Sequence, residues 1–377
     1  MDADVLVVGA GVMGSATAWD LARAGRRTLV VEQFAPGHDR GSSHGDSRVI
    51  RRVYEDPTYA RLMPAAYAAW DAVERAAGGG LVTRTGGLDL GVPGLAGFER
   101  TLATTRAVGT PFELVRADEI AGRFPMLRVP PGTLGIYQPE AGVLAADRCL
   151  ATLQALAWQA GAELMAGARV EAIEAGTAGV TVVTPDRRLR AARVVLTPGA
   201  WAGGLLAATG LSLPFVVTRE QVVYLRAGAG QDLAGLPVVI DHATWIYGLP
   251  VPGRGLVKLG AHHSGPLVDP DGDDRPVDAA ALAPVARFAA ELLPGLDPSP
   301  ASAHACLYTT TPDEGFVLDR HPADDRIVVG AGFSGHGFKF APLVGQALAA
   351  LATDGEPPMD LGPYRIERFG GAFAANV

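Results

Sequence analysis

The sequence predicts a two-lobed α/β protein, in which a Rossmann-type nucleotide-binding domain is interleaved with an α+β, mixed-sheet lobe. Three observations predict it. Residues 4–32 read as strand, G-x-G-x-x-G turn, helix, strand and terminal acid, the order that a dinucleotide site requires. Residues 192–197 and 326–331 are later apolar runs that each enter a glycine-bearing turn, as further strands of the same sheet would. Between them, residues 215–225, 237–249 and 255–263 carry the β-branched and aromatic side chains of a second sheet. A length of 377 residues suits two domains. The first is expected to collect residues 1–84, 145–214 and 305–377, and the second residues 85–144 and 215–304.

Composition narrows the function classes. The chain is 48% hydrophobic and 19% charged, enough apolar residue for a sizeable core. A net charge of -8 without a basic stripe argues against nucleic acid. No apolar run reaches the roughly 20 residues of a membrane helix. The first strand begins at once, so no signal peptide is expected, and Cys149 and Cys306 give neither metal spacing nor a disulfide framework. A cytoplasmic protein without a metal site is expected.

In the opening unit, Gly9 permits the tight turn, Gly11 lets the backbone approach a pyrophosphate, and Gly14 lets the helix pack on the strand. The helix N-terminus offers unpaired N–H groups to phosphates. Glu32 suits the two hydroxyls of an adenosine ribose and disfavours a 2′-phosphate. This much fits FAD and NAD alike. The polar loop over residues 41–52 follows, where Arg48 and Arg51 would share a face on one helical turn. They suit an acidic substrate, or equally a solvated pair of ion-paired arginines.

Helices are expected over residues 56–77, 97–108, 117–124 and 147–160, the last capped by Asp147. Strands are expected around Gly86-Gly87, over 135–143, and at 163–168, 170–175 and 179–184. Thirty of the 32 basic Lys and Arg residues are arginine, so the two lysines, Lys258 and Lys339, mark places where a compact cation with a shiftable pKa is wanted. On a strand, Lys258 and His262 point to one face. Residues 279–293 read as a helix, 294–300 as a loop, and 303–308 and 315–318 as strands. The chain then repeats its opening logic: a buried strand enters the glycine loop Gly332-Phe-Ser-Gly335-His-Gly337, with a helix beyond Pro342. Its N-terminus, with the Gly335 and Gly337 amides, suits the negative charge that a reduced flavin carries around N1 and its C2 carbonyl. Flavin is therefore preferred over nicotinamide.

Four further segments carry a family resemblance: Gly41-Ser-Ser-His44-Gly45-Asp46-Ser47-Arg48-Val-Ile-Arg51, Lys258-Leu-Gly-Ala-His262, Cys306-Leu-Tyr308-Thr with Pro312-Asp-Glu, and Gly332-Phe-Ser-Gly-His-Gly-Phe-Lys339-Phe. With them the chain resembles, nearly end to end, the monomeric sarcosine oxidase and N-methyltryptophan oxidase family of D-amino-acid-oxidase-like flavoproteins. The resemblance implies a monomer that binds FAD through a thioether to Cys306, with Ser42 in the cofactor loop. It implies a substrate carboxylate held by Arg51 and Lys339. It implies oxygen reduction promoted by Lys258, with Arg48 and His44 beside it, and a pocket lined by His262, Tyr247 and Tyr308. The implied reaction oxidises a secondary-amine amino acid to an imine, hydrolysed to aldehyde and primary amine, while O2 becomes peroxide. Ser43, Ser47, Ala261 and Gly315 depart from the commoner residues and are expected to reshape the pocket. The substrate thus stays open between sarcosine, larger N-methyl amino acids, cyclic secondary amino acids and glycated amino acids. A flavin dehydrogenase with another acceptor and a non-catalytic flavin-binding protein are the competing readings.

Overall fold

A computed structural model describes residues 1–370; residues 371–377 of the expected 305–377 segment lie outside the described residues. β1 (Ala3–Val8) runs into α1 (Val12–Arg23), and β2 (Thr28–Glu32) lies parallel beside β1. A long loop leads to β3 (Arg48–Ile50) and α2 (Pro57–Ala77). Asp56 caps α2 by accepting from the Thr58 amide, and Gly78 ends it in the left-handed conformation. β4 (Val82–Arg84), β5 (Gly87–Gly91), α3 (Ala96–Val108), β6 (Glu113–Arg116), α4 (Ala117–Arg123), β7 (Leu134–Gln138) and β8 (Gly142–Leu144) follow. α5 (Ala146–Gln159) precedes β9 (Glu163–Ala166), β10 (Ala172–Gly176), β11 (Gly179–Val183), β12 (Arg188–Leu196) and α6 (Ala202–Ala207). Then come β13 (Val216–Ala227), β14 (Val238–Asp241), β15 (Ile246–Val251), β16 (Leu256–Ala261), α7 (Ala283–Leu292) and β17 (Leu296–Thr310). β18 (Val317–His321), β19 (Asp324–Ala331) and α8 (Ala341–Thr353) follow, and short 3-10 turns at Gly362–Tyr364 and Ile366–Phe369 end the described chain. No helix among the described residues is long and apolar enough to cross a membrane.

Two large sheets organise these elements. The first has the order β10-β11-β12-β1-β2-β9, with β19 parallel to β12 and β18 antiparallel to β19. Its central strands are parallel and near-continuously apolar, as strands covered on both faces must be. α1, α2, α5 and α8 bury Trp19, Trp70, Leu153 and Leu348 against one face, while Leu6, Val194, Leu206 and Val329 pack on the other. The second sheet runs β17-β13-β16-β15-β14-β5-β7-β6, antiparallel except where β14 meets β5. One of its faces packs Val223, Val257 and Leu259 against α4 and α7. A three-stranded sheet, β3-β8-β4, joins the polar loop to this framework.

Three local expectations are corrected. Arg48 begins a strand instead of a helical turn, because residues 48–50 pair with β8. Asp147 is not the N-cap of α5: Ala145 is, and the Asp147 carboxylate accepts from the Gly45 amide at 2.7 Å, tying down the polar loop. The loop expected over 294–300 is largely strand, since Leu296 and Pro300 pair with Ala227 and Leu225 of β13. β17 lies at the edge of its sheet, where Pro298 and Pro300 interrupt no second ladder.

Candidate active site

Between the sheets lies a cavity of about 2330 Å³. Every residue expected above to serve catalysis, substrate or cofactor lines it except Gly14. The nucleotide turn forms one part. Gly9 has φ +99°, and a Cβ there would lie 2.4 Å from the Thr197 carbonyl oxygen. A Cβ on Gly14 would lie 1.8 Å from the Gly9 carbonyl oxygen, so this glycine lets α1 seat on the turn, and it does not line the cavity. Ser43 Oγ accepts from the Val12 amide at 3.0 Å and approaches Gly11 closely. Glu32 accepts from the Ala10 and Phe34 amides at 2.8 and 2.9 Å, so its carboxylate braces the turn as well as facing the cavity.

The polar loop is wound around Arg48. Its guanidinium donates to the carbonyls of Ser42 (3.0 Å), His44 (2.6 Å) and Ser47 (2.9 Å) and lies over the Phe338 ring. Ser42 Oγ donates to the Leu307 carbonyl, joining the loop to β17. Burial and the Arg48 charge push the His44 imidazole down to about 4, and its Nε2 has no partner among the described residues. The Ser47 hydroxyl is likewise buried and unpartnered.

Lys258 points from β16 into the cavity and donates to the Ser47 carbonyl at 3.0 Å. Burial, reinforced by Arg48, pulls its amine down to about 7. Cys306 on β17 is a free, half-buried thiol that burial pushes up, with Arg48 and Lys258 opposing in part. β16 ends at Ala261; His262 follows, donating its amide to the Trp245 carbonyl at 3.0 Å. Burial and His263 push the His262 imidazole down to about 2. Tyr308 meets the His262 ring at 5.5 Å, and burial raises the phenols of both Tyr308 and Tyr247. Gly335 has φ +74°, and a Cβ there would lie 2.1 Å from the Tyr308 ring. A Cβ on Gly337 would lie 2.6 Å from Phe333.

Arg51 and Lys339 converge on Tyr54. Lys339 Nζ donates to the Tyr54 hydroxyl at 2.8 Å and the His336 carbonyl at 2.9 Å; burial and Arg51 pull its amine well below the usual value. Arg51 Nη1 donates to the Val53 carbonyl (2.6 Å) and to Asp89 (2.8 Å), and the guanidinium lies 5.0 Å from the Tyr54 ring centre. Tyr54, His336, Asp89 and His242 are neighbours of these two cations to which sequence reasoning gave no role. Asp89 alone left a signal, a carboxylate inside the apolar run Leu88-Asp-Leu90.

The four departures divide. Ser43 and Ser47 line the cavity; Ala261 and Gly315 do not. Strand alternation puts Ala261 on the face of β16 opposite Lys258, against the apolar core beneath the sheet. A Cβ on Gly315 would meet Asp313 and Arg368 at 3.2 Å.

These residues fit a flavin dinucleotide: a glycine turn at a helix N-terminus, a carboxylate after β2, a second glycine loop and unpartnered buried groups around one long cavity. The family model of FAD dependent oxidoreductases (DAO) matches residues 4–351. The chain belongs to this family. Among relatives of this FAD-dependent oxidoreductase, the peroxisomal sarcosine oxidase of Homo sapiens is 38% identical, over 97% of this chain and 96% of that protein. The N-methyl-L-tryptophan oxidase of Yersinia pestis is 31% identical, over 98% of this chain and 100% of that one. The solved structure of NikD, described as an unusual amino acid oxidase essential for nikkomycin biosynthesis, superposes with a TM-score of 0.85 at 28% identity, covering 96% of this chain and 97% of that one. The α/β architecture is thus that of the family's flavoenzymes.

Proposed function

We propose that the protein oxidises an N-methyl or other secondary-amine amino acid to an imine, which water hydrolyses to aldehyde and primary amine, while dioxygen becomes hydrogen peroxide. The observation that carries this reading is the convergence of Arg51 and Lys339 on Tyr54 in a cavity that also holds Lys258. Two cations recognise a carboxylate, and the relatives named for sarcosine and N-methyl-L-tryptophan support an amine beside it. Bound FAD supplies the two-electron oxidant and the passage of electrons to dioxygen. The chain's residues do the rest. Arg51 and Lys339 fix the carboxylate. The buried lining, with His262 uncharged, favours the neutral amine, whose lone pair the oxidation needs. Lys258 supplies positive charge where oxygen becomes anionic. His44 and Arg48 shape the loop beside it.

Cys306 is assigned to a thioether with the flavin, supported by its free thiol on the cavity wall beside two cations. Gly9, Gly11, Glu32, Ser42, Gly335 and Gly337 are assigned to the cofactor, and Tyr247 and Tyr308 to the substrate pocket. The domain division proposed above is supported by strand membership: first-sheet strands fall within 1–84, 145–214 and 305–377, and second-sheet strands within 85–144 and 215–304, except that β17 runs on to Thr310. We assign a monomeric state, supported by the 34% identity to the protein named monomeric sarcosine oxidase of Bacillus sp.. Two free cysteines suit a reducing compartment such as the cytoplasm.

The test offers sarcosine, N-methyl-L-tryptophan, L-proline, L-pipecolate and a fructosyl amino acid to the yellow protein without oxygen, then admits air. Bleaching by at least one amine, with stoichiometric peroxide in air, is expected. Bleaching without peroxide favours the dehydrogenase, and no bleaching by any of them favours the non-catalytic reading. In the same preparation, yellow should stay with acid-precipitated protein and leave it in Cys306→Ala.

A further inference from the structure

Arg51 is braced from behind. Asp89 on β5 is 3% exposed and His242, just past the end of β14, is 4% exposed. The parallel pairing of β5 with β14 sets Asp89 opposite Ile240, and the His242 amide continues the ladder by donating to the Leu90 carbonyl at 2.9 Å. Residues 240 and 242 share a strand face, so His242 reaches Asp89 diagonally. Asp89 Oδ1 receives Arg51 Nη1 at 2.8 Å and lies 3.0 Å from His242 Nε2. The His242 ring is wedged between Phe98 at 5.9 Å and Trp245 at 5.3 Å. Its Nδ1 is buried without a partner among the described residues, and the side chain also faces the cavity.

This arrangement uses up one end of the guanidinium. Nη1 makes both of Arg51's bonds, to Asp89 and to the Val53 carbonyl, which leaves Nε and Nη2 for a ligand. Those two nitrogens form the edge of the fork that meets a carboxylate with two parallel bonds. A single-ended anchor on a long side chain lets that edge swing. Asp89 and the Val53 carbonyl together fix it, and His242 fixes Asp89.

We propose that Asp89 and His242 are positioning residues that hold Arg51 in the orientation that binds the substrate carboxylate. This rests on the carboxylate-clamp reading of Arg51 above. Asp89 works through its hydrogen bonds, so its effect is opposite in sign to that of a mere counter-charge. A counter-charge weakens the site's pull on anions, and its removal would tighten binding; loss of an anchor loosens it.

The experiment measures inhibition of the holoenzyme by methoxyacetate, which has the carboxylate but no oxidisable amine, and by methoxyacetamide, which lacks the charge. KM and kcat for the best amine are measured alongside, with Arg51→Ala testing the clamp itself. The methoxyacetate inhibition constant is expected to rise about threefold in Asp89→Asn, which keeps a weaker acceptor, and about tenfold in Asp89→Ala. His242→Phe, which keeps the ring packing, should raise it about threefold, with KM following, kcat within about twofold, and methoxyacetamide unmoved. If Asp89→Ala does not yield yellow protein, Asp89→Asn and His242→Phe decide alone. A constant that is unchanged or falls in these variants, while Arg51→Ala raises it, overturns the positioning role and leaves the clamp standing. A constant unchanged in Arg51→Ala overturns both.

Discussion

Lys258 and Lys339 are amines with no carboxylate among their hydrogen-bond partners, and the solvation they lose shows in their titration. The rarity of lysine in this chain was enough to mark both positions, and both line the cavity. Their partners were not legible. Lys339 reaches Tyr54 across 285 positions of chain, a contact that only the assembled fold creates. For Lys258 the expected outcome of Lys258→Met is specific. Stopped-flow reoxidation of the reduced enzyme by dioxygen should slow by about 100-fold or more, the usual loss when a charge that stabilises a developing anion is removed. Reduction by the amine should stay within about threefold. The urea midpoint should rise, because methionine fills the same space with no charge to desolvate. Unchanged reoxidation would take Lys258 away from the oxygen side of the reaction.

Side-chain periodicity decides which residues of an element reach the cavity. On β16, Lys258 faces the cavity while Leu259 and Ala261 face the core below, so a departure at Ala261 was legible as a difference but not as an irrelevant one. Arg48 and Arg51 show the converse: the helical spacing was wrong, yet both guanidinia line the site because β3 leads straight into it. The opening turn was the most legible element, since each glycine has a separate steric task. Gly14→Ala should cost at least about 2 kcal/mol and lower the fraction of chains that take up flavin, because the new methyl must displace α1 from the Gly9 carbonyl. Gly122→Ala is the control: it sits in α4 with nothing within 4 Å of its Cβ position. That substitution should raise stability by about 0.5–1 kcal/mol through helix propensity alone. Urea midpoints of the two variants check both signs, and equal effects would refute the packing role given to Gly14.

The whole molecule is two sheets from interleaved segments with the site at their seam. Motifs and apolar runs were enough to expect the strands and their two groupings. The strand order was not legible, because β12 joins the other side of β1 by contacts spanning over a hundred residues. The seam also gathers three histidines from distant parts of the chain. Burial comes first among the causes that push His44 down to about 4, His262 to about 2 and His336 to about 3. In the unfolded chain each would take up a proton near pH 6.5. Between that value and its folded pKa, each histidine binds more protons unfolded than folded, so stability rises with pH across this window and falls on acidification. The slope is at most about 1.4 kcal/mol per pH unit for each histidine. The holoenzyme's urea midpoint should therefore drop steadily from pH 6.5 to pH 5. His336→Gln keeps a donor for the Glu314 carbonyl, which His336 Nε2 approaches at 3.1 Å, and removes one titrating group. Its slope should be shallower by about one histidine's share. A wild-type midpoint that stays level over this range would mean that the seam admits enough water for the histidines to titrate alike in both states.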